Sequence, residues 1–211
     1  PVERIFFVPN NVAPYELAFA LKNGVMTSLD SLSQLELFGE VCNQMEIPPA
    51  KRKCAVRINP GVGAGHHEKV VTGGKKTKFG IAEYSIPQIF EIAEKYQITI
   101  AGINQHIGSL FMDPQPYLDA VTNLLRIAHQ FKNLEFIDFG GGYGIPYHKL
   151  DDEKDFPMED FKSRLEPILD EFVTSYGKAP LFKSEPGRYC VAEGSVILGR
   201  VHATKENSGI Q

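Results

Sequence analysis

The chain has 211 residues, 43% of them hydrophobic and 23% charged, with a formal net charge of −4 at pH 7. That is an ordinary globular make-up with enough apolar material for one sizeable core. The mild acidity and the lack of any extended basic run argue against nucleic acid as a main partner, and no apolar run is long enough to span a membrane.

The opening run Arg4–Pro9 reads as a buried strand, without a signal-peptide pattern, as if the chain were cut from something longer. Tyr15–Asn23 reads as a short helix closed by Gly24, and Val25–Asp30 as the next strand. Ser31 opens a helix with Gln34 at the capping-box spacing. Leu32, Leu35, Phe38, Val41 and Met45 fall on its inner face, and Pro48-Pro49 stop it. Cys54–Asn59 is a third strand, followed by a long loop from Pro60 to Lys78, a length often tied to function.

Ile86–Tyr96 reads as a helix and Thr99–Ile107 as a strand. Asp113-Pro114 makes a good helix start, and Leu118, Val121, Leu125 and Ala128 form the apolar stripe that follows. Leu134–Phe139 is a strand. The helix Pro157–Tyr176 buries Phe161, Leu165, Ile168, Leu169 and Phe172 and ends at Gly177, before a sixth strand, Pro180–Glu185. Cys42, Cys54 and Cys190 are far apart and form no C-x-x-C pair, which suits a reducing cytoplasm.

Six β-then-α units imply parallel strands joined by helical crossovers. An open doubly wound sheet would satisfy that order. A barrel is favoured because ligand-type residues end three different strands, at His106, Gly140–Gly142 and Glu185, and barrel strands converge on one mouth. The expectation is a partial TIM-like (β/α)8 barrel over residues 1–193, two units short of closure. Residues 194–211, where Val196–Thr204 alternates, are expected to be an exit strand into a different β-type domain.

The stretch that organises the rest is Leu134–Gly144, a β-prone run ending in three glycines. Without Cβ atoms these allow close approach, and their N–H groups can turn together toward an anion such as phosphate. A flexible turn is the plain alternative. A dinucleotide fingerprint is disfavoured, because the third glycine would fall at Ile145. Gln105-His106-Ile107-Gly108-Ser109 adds an imidazole, an N–H and a hydroxyl at the fourth strand's end. Ser184-Glu185-Pro186-Gly187-Arg188 reads as a simple ion pair, or as a carboxylate facing a ring nitrogen with a guanidinium facing an anionic oxygen. His66-His67-Glu68 lacks the helical spacing of a zinc protease site and is assigned no metal; His129, His148 and His202 are assigned no function.

Together, Val56-Arg57-Ile58-Asn59-Pro60, Lys78-Phe79-Gly80-Ile81, His106-Ile107-Gly108-Ser109, Asp138–Gly142 and Glu185-Pro186-Gly187-Arg188 resemble the fold type III pyridoxal-phosphate decarboxylases. That group has an alanine racemase-like barrel and acts on ornithine, arginine or diaminopimelate. Val71-Thr72-Gly73-Gly74 and Gly142-Tyr143-Gly144-Ile145-Pro146-Tyr147 resemble the diaminopimelate branch. The resemblance implies decarboxylation of meso-diaminopimelate to L-lysine, with another basic amino acid as the alternative substrate and a catalytically inactive binding protein as the second alternative.

It also implies that Gly140, Gly141, Gly142 and Ser109 hold the phosphate of pyridoxal 5'-phosphate and that His106 stacks on its ring. Glu185 would pair with the ring nitrogen and Arg188 with a substrate carboxylate; Arg57 and Gly187 would belong to the same pocket. Asp138 is expected to be structural and Cys190 to lie outside the chemistry. The implied protein is a cytoplasmic homodimer, with the lysine that bonds the cofactor upstream of Pro1, so this piece alone is expected to be inactive. Lys183 is a rival for that lysine, since it shares a strand face with Glu185. Its other readings are a charge partner inside the barrel or a contact at the strand's solvent-facing flank.

Overall fold

The computed structural model describes residues 1–61, 74, 77–147, 153–206 and 209. The strands are β1 (Phe6–Phe7), β2 (Met26–Leu29), β3 (Lys53–Arg57), β4 (Thr99–Asn104), β5 (Phe136–Asp138) and β6 (Leu181–Lys183). Between them run α1 (Pro14–Lys22), α2 (Leu32–Gln44), α3 (Ile86–Tyr96), α4 (Gln115–Ala128) and α5 (Met158–Tyr176), and α6 (Gly187–Val191) follows β6. All strand pairs are parallel, and sheet order equals chain order.

That order alone would suit a flat sheet, but contacts across it show that it curls. Phe6 of β1 meets Phe136 of β5 edge-to-face at 5.2 Å between ring centroids. In a flat sheet those strands would lie about 19 Å apart, four spacings of roughly 4.8 Å. The Lys183 ammonium of β6 sits 3.8 Å from the Phe136 ring centroid and 5.3 Å from that of Phe6. Lys183 is thus inside the curl.

Register then sorts the side chains. Ser28, Ala55, Gly102, Phe136 and Leu181 are lateral partners, as are Arg57, Asn104, Asp138 and Lys183. Both rows face inward. Gly102 has no side chain where the Phe136 ring lies over it, and Ser28 Oγ donates to Asn104 Oδ1 at 2.5 Å across the interior. The opposite face, with Leu29, Cys54, Val56, Ala101, Ile103 and Ile137, is buried under the helices. Leu35, Phe38 and Val41 of α2 and Leu118, Val121, Leu124 and Leu125 of α4 complete that outer core.

The helices follow their local signals. Ser31 Oγ accepts the Gln34 N–H at 3.2 Å, as its cap position demands. The reciprocal arm is displaced by one residue, because Gln34 Oε1 accepts the N–H of Asp30. Gly177 closes α5 at φ +74, although Leu165, Ile168 and Leu169 are only half-buried.

Strands are shorter than alternation implied. Of Arg4–Pro9 only Phe6–Phe7 pairs, since Val2–Arg4 forms a 3-10 turn. Val196–Thr204 has no sheet partner among the described residues, and Val196, Ile197, Leu198 and Val201 are exposed. Alternation expresses a tendency to pair, but a strand needs a partner for its backbone N–H and C=O groups. The tracts His66-His67-Glu68 and Val71-Thr72-Gly73, and His148, lie outside the described residues.

Candidate active site

The inward rows turn polar toward the strands' C-terminal ends. At the end of β3, Arg57 Nη1 lies 3.2 Å from Asp30 Oδ1, just past β2, with both side chains buried. Asp30 also accepts the Gly80 N–H at 3.2 Å, and the Arg57 guanidinium rests over the Phe79 ring at 4.8 Å. Burial pushes the Asp30 carboxyl up, with Arg57 opposing. Beside them, Asn59 ties the loop ends together. Its Nδ2 donates to Gly74 O, Thr77 Oγ1 and Phe79 O, while its Oδ1 accepts from Gly61 and Gly74 N–H.

After β5, Gly140 and Gly142 adopt φ +73 and +106. Side chains on the three glycines would collide with Gln105 O, Glu185 O and Gly108 O in turn. Glycine is therefore required here because three strand ends pack backbone against backbone. The Gly140 N–H is taken by Asp138 Oδ1 at 2.8 Å, and the Gly141 N–H reaches His106 Nδ1 at 3.4 Å. Burial, aided by the Arg57 charge, lowers His106 to about 4, so the imidazole is neutral at pH 7. With Nδ1 accepting, its proton is assigned to Nε2.

Glu185 follows β6, its N–H on Gly140 O at 3.0 Å. Its surface opens to the mouth, yet desolvation by the surrounding wall, then the Asp138 charge, raises its carboxyl to about 7 against the pull of Arg57. Burial also raises Asp138, with the Gly140 N–H and Lys183 opposing. Among the described residues Arg188 makes no ion pair with Glu185; its Nη1 donates to Tyr147 Oη at 3.2 Å. The simple ion-pair reading of that motif is set aside.

A cavity of about 250 Å³ joins these groups, lined by His106, Ser109, Leu110, Gly142, Tyr143, Glu185, Gly187 and Arg188. Six of the sequence-predicted residues thus meet in one space; Arg57, Gly140 and Gly141 are not in its lining, nor is Lys183. The donor set suits a flat, phosphorylated, nitrogen-bearing ring. It offers a neutral imidazole face, a carboxyl ready to share a proton, a hydroxyl, and a cation for an acid group.

Residues 1–192 match the family model described as pyridoxal-dependent decarboxylase, pyridoxal binding domain. The chain belongs to this family. It is 40% identical over 211 residues to the diaminopimelate decarboxylase of Methanothermobacter thermautotrophicus, covering 97% of this chain and 47% of that protein. The Staphylococcus aureus diaminopimelate decarboxylase is 31% identical, over 96% of this chain and 48% of that one. The Methanocaldococcus jannaschii diaminopimelate decarboxylase in complex with L-lysine superposes with a TM-score of 0.82 at 28% identity, covering 99% of this chain and 48% of that one. The chain therefore spans about half the length of the relatives it matches, and the curled sheet is a TIM-like half-barrel.

Within this family member, sequence reasoning missed four participants. Asp30 is the buried counter-ion of Arg57, and Asn59 laces the loop. Leu110 lines the cavity at φ +62, a strained conformation for a leucine. Tyr143 was read only as part of a motif. Asn59, like Tyr143, stood inside a motif, while Asp30 and Tyr143 take their roles from Arg57 and Tyr117, distant in sequence. Cys190 is exposed and outside the cavity lining. Cys42 and Cys54 are buried, and burial raises the Cys42 thiol to about 11 and Cys54 further.

Proposed function

We propose that the protein carrying this chain decarboxylates meso-diaminopimelate at its D-centre, leaving L-lysine and carbon dioxide. The observation that carries the reading is the cavity where His106, Ser109, Glu185 and Arg188 converge, in a chain similar to proteins named for that reaction.

When bound, pyridoxal phosphate supplies an electron-withdrawing ring that accepts the electron pair released as the carbon–carboxylate bond breaks. The chain's own residues prepare that ring. Glu185, raised to about 7, holds a proton at the ring nitrogen and gains a cationic partner in doing so. His106 presents an uncharged face. Ser109 and Gly142 hold the phosphate, with Gly140 and Gly141 shaping the turn behind them and Gly187 flooring the pocket beside Glu185. Arg188 binds a substrate carboxylate, and its planar guanidinium suits that group. Arg57 supports Glu185 and His106 electrostatically.

Lys183, seated on the Phe136 ring, serves Asp138 as a charge partner, so the lysine bonding the cofactor comes from elsewhere in the protein. The family resemblance further supports a cytoplasmic homodimer.

The test offers meso-diaminopimelate, L-lysine, L-ornithine and L-arginine separately to the intact, cofactor-loaded protein and measures carbon dioxide. Only the first should release it efficiently. Preference for ornithine or arginine would overturn the substrate, and no release from any would favour an inactive binding protein.

A further inference from the structure

The Gly140 carbonyl oxygen accepts from three donors: the Glu185 N–H at 3.0 Å, Ser184 Oγ at 3.1 Å and Tyr117 Oη at 3.2 Å. A carbonyl has two lone pairs, so this acceptor is fully used. Tyr143 Oη donates to Tyr117 Oη at 2.9 Å and lies 2.9 Å from Ser184 Oγ. Three hydroxyl protons serve these four contacts, so they cannot all be hydrogen bonds at once. Tyr117 and Ser184 give theirs to Gly140, and Tyr143 gives its single proton to Tyr117 or, alternatively, to Ser184. The three hydroxyls come from α4, from the turn after β5 and from the end of β6.

Packing alone does not explain the phenols. Tyr117 and Tyr143 sit among Phe111, Phe156 and Phe161 with ring centroids 5.2 to 5.6 Å apart in the contacts Phe111–Tyr117, Tyr117–Phe161, Tyr143–Phe156 and Tyr143–Phe161. Phenylalanine would fill those positions without bringing a hydroxyl to be satisfied. The clamp answers a specific weakness instead. Gly140 and Gly142, at positive φ, leave the peptides between them with little intrinsic hindrance to rotation. The peptide is planar, so fixing the Gly140 oxygen also fixes the Gly141 N–H on its other side. That N–H makes the 3.4 Å bond to His106 Nδ1, long enough for a modest rotation to break it.

We propose that Tyr117, Tyr143 and Ser184 are positioning residues, a three-hydroxyl clamp that holds the Gly140–Gly141 peptide and thereby sets the tautomer and ring orientation of His106. The inference rests on the proposed function only in that His106 is to face the cofactor.

The test uses the intact protein with 15N-labelled histidine, His106 being assigned by its loss in His106→Asn. Without cofactor, the wild-type Nδ1 signal should be that of a hydrogen-bond acceptor. Tyr117→Phe and Ser184→Ala should each weaken pyridoxal phosphate binding about fivefold, the value of one ordinary hydrogen bond. The double variant should lose more than the product of the two and show His106 as a tautomer mixture, because only the Glu185 N–H then holds the Gly140 oxygen. An unchanged Nδ1 signal in the double variant, or a multiplicative loss, would overturn the clamp. If Tyr117→Phe does not fold, Ser184→Ala combined with Tyr143→Phe removes one donor to Gly140 and the phenol that braces the other, so the same signal should move part-way, and no movement would overturn the clamp. A wrong substrate assignment would abolish carbon dioxide release from meso-diaminopimelate while leaving these His106 results intact, so the two failures are distinguishable.

Discussion

Gly142→Ala tests whether the glycine turn is demanded by backbone packing. Gly142 has φ +106, and a Cβ there would strike the Gly108 carbonyl and lie 3.0 Å from Phe111 Cε1. The left-handed backbone costs an alanine roughly 1–2 kcal/mol. Relieving the clash means moving Gly108 and Phe111, which strains the bonds Phe111 N–H to Gly142 O at 3.2 Å and Gly144 N–H to Phe111 O at 2.9 Å. Each is worth about 1 kcal/mol, so the sum is about 3–4 kcal/mol, a large part of an ordinary fold's 5–15 kcal/mol. Gly177 is the control: it has φ +74 with nothing near its missing Cβ, so Gly177→Ala should cost about 1 kcal/mol. In urea, with a slope of about 3 kcal/mol per molar, the midpoint should fall by about 1 M for Gly142→Ala and about 0.3 M for the control. Equal losses in the two variants would refute the packing argument.

Two further outcomes follow from the charges at the mouth. Glu185, raised from 4.5 to about 7, keeps a proton in the fold that the unfolded chain loses, so its contribution is present below pH 4.5 and lost as pH rises through 7. His106, lowered from 6.5 to about 4, contributes above pH 6.5 and loses that contribution as pH falls toward 4. His106 is common to both proteins, so relative to wild type the melting temperature of Glu185→Gln should climb with pH between 4.5 and about 7; parallel profiles would contradict the assignment. Asp30→Ala should destabilise by about 3–5 kcal/mol in denaturant unfolding, because it leaves Arg57 buried without its partner. The paired substitution Asp30→Leu with Arg57→Met should recover much of that loss, and no recovery would count against an ion-pair origin.

Much of the architecture was legible in the chain because it rests on local rules. Helix α3 occupies Ile86–Tyr96 as read, since Ile86, Ile89, Ala93 and Tyr96 recur at helical spacing and bury one face. The β-then-α order dictated parallel strands, and motifs at strand ends named the residues that meet in the cavity. What the tertiary structure alone decided are relations between distant positions. The curl shows in Phe6 touching Phe136, the charge balance in Asp30 meeting Arg57, and the clamp in Tyr117 reaching Gly140. Val196–Thr204 makes the same point from the other side. Its alternation is written in the chain, but a strand exists only where a second backbone lies beside it to complete its hydrogen bonds.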